Sequence, residues 1–161
     1  MQTDGFHVRW RLVVGLALTF TALAVGGAVA ATLTPAEKEL KRSFAKSIPV
    51  VVKASNAVIK GAGEASGDSD AQAANVFSAL AVQWASATKP LSSLKGPPGT
   101  DTKLLSAITH YAGAVEADLL TVSKDVRQHH DSAASNASLQ LAHDFNTFGV
   151  WFGELRKRLG L

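Results

Sequence analysis

Leu104, Ile108, Tyr111, Val115, Leu119, Val122 and Val126 follow one another at steps of 4, 3, 4, 4, 3 and 4. A strand would put alternate residues on one face, whereas this spacing keeps a single face only on a helix of 3.6 residues per turn. The stripe is one side of an amphipathic helix sustained for about six turns. A face that long has to be covered by other helices, and the rest of the chain supplies them.

Leu141, Phe145, Phe148, Phe152, Leu155 and Leu159 repeat the pattern at steps of 4, 3, 4, 3 and 4. Phe77, Leu80, Trp84, Ala87, Leu91 and Leu94 keep the seven-residue spacing used for helix-on-helix packing. Leu40, Phe44, Ile48, Val51, Ser55, Val58 and Ala62 form a further stripe whose phase passes straight through Pro49. That predicts one helix kinked near Ala45 to Pro49, with two short helices as the alternative. Thr34-Pro35-Ala36-Glu37 and Ser69-Asp70-Ala71-Gln72 both read as capping boxes.

The breaks are equally plain. Gly61 to Gly67 is rich in glycine, Pro90 should kink or shorten the second helix, and Gly96-Pro97-Pro98-Gly99 ends it. Thr100 or Asp101 is expected to cap the third helix. His129-His130-Asp131-Ser132 is a short connection, so the last two helices should be antiparallel neighbours. The reading is all-α, an up-down-up-down four-helix bundle over residues 31–161.

Residues 1–30 read differently. Arg9 and Arg11 precede the uncharged stretch Leu12 to Val25, and Ala28-Val29-Ala30 places small residues where signal peptidase cuts. We expect a signal peptide cleaved between Ala30 and Ala31. The alternative is an uncleaved membrane anchor, because no charge intervenes between Arg11 and Glu37 and about 20 apolar residues span a bilayer. Either way the expected location is secreted, or the extracytoplasmic face of the cell membrane. With no cysteine there is neither a lipidation site nor a disulfide, and stability must come from packing. Without Asp4, Arg9 and Arg11 the remainder carries 14 basic and 12 acidic side chains. That near balance gives no case for nucleic acid or an anionic partner.

Chemistry-bearing residues are sparse. Asp125 and His129, spaced i and i+4, with His130 beside them, come nearest to a metal motif. Two ligands do not make a transition-metal site, and the ordinary role of such residues is to finish a helix. His143 sits roughly 14 Å from His129 along the bundle, too far to share an ion. His110 falls opposite Glu154, which suggests a surface pair. Tyr111 lies on the inward stripe and is the residue there that would ligate haem iron, although filling core is its ordinary role. No H-E-x-x-H, G-x-S-x-G, C-x-x-C-H or nucleotide-binding glycine loop occurs. The expectation is therefore no enzyme and no cofactor.

One packing detail follows from the last hairpin. Residues facing each other across a fold near residue 132 sum to about 264. Gly113 then lies level with Val150 to Phe152, and Trp151 or Phe152 is expected to pack over it.

Trp84, Leu91 and Leu94-Lys95-Gly96-Pro97-Pro98, then Leu105, Tyr111 and Leu119, and a closing Leu155, Leu159-Gly160-Leu161, carry a resemblance. The chain resembles small exported Ala-rich helical-bundle proteins of high-GC Gram-positive bacteria, and departs from many of them in lacking a lipobox cysteine or a disulfide. The resemblance implies an extracytoplasmic bundle and no catalytic residues. The functional expectation is an exported non-enzymatic module that binds a protein partner or an envelope component, with membrane contact only through an uncleaved amino-terminal segment. The alternative is a carrier of a small hydrophobic ligand, lipid or haem.

Overall fold

The structure, a computed structural model, describes residues 33–161. Both the expected signal or anchor and its cleavage point lie outside those residues. Four helices follow in order: α1 (Pro35–Ala65), α2 (Asp70–Thr88), α3 (Thr100–Arg127) and α4 (Asp131–Arg158). A 3₁₀ turn, Lys89–Ser93, extends α2. Among the described residues there is no strand, and no helix is long and apolar enough to cross a membrane.

Both capping boxes form. Thr34 and Glu37 exchange hydrogen bonds at the start of α1, and Ser69 and Gln72 do so at the start of α2. Each box satisfies two amide donors that a helix leaves without partners. Pro49 lies inside a single α1. Pro90 acts as expected by converting the end of α2 to a 3₁₀ turn, where its missing N–H does least harm.

The cap of α3 differs from expectation. Neither Thr100 nor Asp101 holds that place: the N-cap is Gly99, with φ of 114° and no side-chain hydrogen bond. This backbone region is hostile to a Cβ, so glycine is required by conformation. Asp101 is released for another role.

Long-range contacts give each neighbouring pair an antiparallel sense. Asp70 at the start of α2 meets His129 just past α3, Arg158 at the end of α4 meets Asp101 at the start of α3, and Lys41 Nζ donates to Gly160 O. Consecutive helices approach closely along their backbones, yet no Cα of α1 comes within 8 Å of a Cα of α4. That gap is closed by rings, with Phe44 and Phe152 centroids 4.8 Å apart.

Trp84 is the centre of the core. It is fully buried, lies 5.5 and 5.0 Å from the rings of Phe145 and Phe148, and donates its indole N–H to Ala112 O at 2.8 Å. Phe148 stacks on Phe152 at 5.4 Å, so aromatic contacts run from α2 through α4 to α1. The organising stripe is buried along its length apart from the half-buried Tyr111.

The small-against-large contact expected between α3 and α4 does not form at Gly113. A Cβ there would meet nothing within 4 Å, while Phe152 turns to α1 and Trp151 lies beside Ala107 and Tyr111 of α3. The close approach is instead Gly61 against Leu80, where a Cβ would come to 3.0 Å from Leu80 Cδ1. Equal height along a hairpin does not imply a shared face. Gly113 is two residues from both Tyr111 and Val115, which turns it outward.

Candidate functional site

Helix ends bring together the residues singled out from sequence, though not as one site. His129 Nδ1 lies 2.8 Å from Asp70 Oδ2, whereas His130 Nδ1 lies 4.0 Å from Asp125 Oδ1. The two histidines thus turn to different carboxylates on different helices. Among the described residues no group of three or more His, Cys, Asp or Glu is placed to hold a metal ion. What the segment does build is a helix stop. The amide of His129 donates to Val126 O and that of His130 to Asp125 O, with His129 in the left-handed region at φ of 56°. This is the paired closure of a Schellman turn, made with histidine where glycine is usual.

His110 does not pair with Glu154. Its ring stands edge-on to Tyr111 at 5.0 Å and borders a groove of ≈ 560 Å³ with Thr102, Lys103, Ser106 and Trp151. Trp151 is 37% exposed, a large aromatic kept in contact with water.

Two charged constellations escaped the sequence reading. The first spans the α3–α4 interface. Asp118 and Asp144 face each other, and Asp144 also accepts from Gln140 Nε2 at 3.0 Å. Burial, then the charge of Asp144, then the hydrogen bond between the carboxyls push Asp118 up to about 6. The pair can hold one proton between two oxygens, since neighbouring carboxylates resist ionising together. The signal was present in the sequence, because 118 and 144 come within two residues of the hairpin register that placed Gly113.

The second constellation closes the end of the bundle where α1 starts. Arg158 Nε donates to Oδ1 of Asp101, which is 1% exposed, and Arg158 Nη2 lies 3.8 Å from Glu37 Oε1. The hydrogen bond and charge of Asp101 make the Arg158 guanidinium harder still to deprotonate. The backbone N–H and then the hydroxyl of Thr34 hold the Glu37 carboxyl below its usual range. Three helices therefore meet at one guanidinium. The basic last turn of α4, Arg156-Lys157-Arg158, thus contains this clamp, and Arg156 Nε donates to Leu161 O at 3.2 Å.

No protein-family model, curated protein or solved structure matches the chain.

The geometry of this clamp fixes one further property. With Lys41, Arg158, Asp101 and Phe44 at one end and Asp70, Asn75, Arg127 and His129 at the other, every charged residue among those described can be assigned to a half of the bundle. Residues 34–50, 82–114 and 145–161, the half where α1 begins, contain ten cations and four carboxylates. Residues 51–81 and 115–144 contain four cations and eight carboxylates. The described domain, nearly neutral in total, is strongly polarised along its axis.

Proposed function

We propose that this protein is an exported, non-enzymatic helical module that works at the cell envelope by binding. The observation that carries the reading is the join between the two parts of the chain. The folded domain starts with its own capping box at Thr34, a few residues after the Ala28-Val29-Ala30 pattern, so an export segment runs directly into a bundle. The open groove beside Trp151 adds an exposed aromatic of the kind that anchors partners. The interior supports binding at the surface over carriage inside. Ile108, Val115, Leu119, Phe145 and Phe148 fill the space between α3 and α4 where a carried ligand would sit.

An alkaline phosphatase fusion to the full chain, which is active only outside the cytoplasm, tests export. Amino-terminal sequencing of the product then separates cleavage after Ala30 from anchoring. An inactive fusion retained in the cytoplasm overturns the reading.

A further inference from the structure

We propose that the basic end of the bundle seats on an anionic phospholipid bilayer, with the acidic end directed away from it. This rests on the envelope reading and names the surface involved. Total charge does not suggest such contact; its arrangement does. Lys38 on α1, Lys95 in the connection, Lys103 on α3 and Lys157 on α4 come from four separate elements, and the fold gathers them at one end. All four are exposed, and among the described residues no carboxylate pairs with any of them. Opposite charges placed at the two ends of helices roughly 42 Å long give the molecule a large dipole, which orients it at a negative surface and repels the far end.

Covalent connectivity selects the bilayer among polyanions. Residues 1–32, with the uncharged run Leu12 to Val25, join the bundle at Thr34, and Thr34 is at the basic end. Left in place, an apolar segment of that kind brings this end to the headgroups. Removed at Ala30, it leaves a new amino terminus that adds a cation at the same end. The lysines thus serve the same contact in both cases, and membrane contact does not require an uncleaved anchor.

The test uses the product of the full gene, processed or not, with vesicles of phosphatidylcholine alone and with one-third phosphatidylglycerol. Each cation near an anionic surface is worth about fivefold in binding, so a preference of at least about tenfold for the anionic vesicles is expected. It should disappear at about 1 M salt, where the screening length is ~3 Å. Replacing Lys38, Lys95, Lys103 and Lys157 with Gln should abolish the preference, whereas replacing Lys53, Lys60 and Lys124 in the other half should leave it intact. Equal binding to both vesicles, equal loss in both variants, or release by soluble poly(glycerol phosphate) at matched phosphate each overturns the proposal, the last in favour of a wall polymer. A failure of export shows in the fusion experiment and leaves the vesicle measurement unaffected.

Discussion

Arg158 and Asp101 lie 57 residues apart in sequence, and the guanidinium of one caps the buried carboxylate of the other. Asp101 Oδ2 has no hydrogen-bond partner of its own among the described residues, and Arg158 is the side chain there that compensates the charge. Truncating it as Arg158→Ala strands a carboxylate inside the protein. The expected cost is about 2 kcal/mol, below the range for a fully buried pair because the Arg158 side chain is half in water. Urea denaturation should show this loss, and the double variant Arg158→Ala/Asp101→Asn should recover most of it. A double variant no better than the single would mean that the arginine acts through packing.

The Asp118–Asp144 pair makes stability fall with rising pH. Folding raises the Asp118 pKa from 3.8 to about 6, so the folded chain holds a proton that the unfolded chain has released. The contribution is complete below about pH 4, is lost as pH climbs to about 6, and is constant above that. Asp118→Asn should flatten the window and raise stability at pH 7 by about 1 kcal/mol, allowing for partial exposure. Melting curves across that range check both parts; an unchanged slope would remove the pair from the account.

Gly113 sits mid-helix with open space where a Cβ would go. Gly113→Ala should therefore stabilise the bundle by about 0.5–1 kcal/mol, the usual helix preference of alanine. Gly61→Ala should gain less or nothing, because its methyl must displace Leu80. Thermal melts of the two variants side by side give the comparison, and equal gains would contradict the close approach at Gly61.

His129 and Gly160 occupy the same position in two helix stops, after α3 and after α4. Only the histidine bears a Cβ in the left-handed region. His129→Gly should gain about 0.5 kcal/mol, since the exposed contact with Asp70 that it gives up is worth less than the relieved backbone. A destabilised variant would show that the Asp70 contact outweighs the strain.

The helices and both capping boxes were legible in the sequence because they depend on residues three and four apart. The Arg158 clamp was not, because cations in a last helical turn are sufficiently explained by the helix dipole, and only the assembled fold reveals a buried acid facing one of them. Asp101 misled for a related reason. An acid near a helix start reads as a cap, yet Gly99 holds that place through backbone shape alone. Asp118 and Asp144 could have been paired from the hairpin register. Gly113 was misplaced by that same register, which measures height and says nothing of azimuth. Polarisation along the axis was invisible to a net charge, because α1, α3 and α4 each carry both signs and a sum over the sequence cancels them.

The seam between α1 and α4 has a mechanical consequence. It is bridged by Phe44, Phe152 and the Lys41–Gly160 and Glu37–Arg158 contacts, without close backbone approach. A pull transmitted from residues 1–32 enters at Thr34 and meets those few contacts first. Under tension the bundle should open like a strip peeled from a stack, α1 leaving before the other three helices yield.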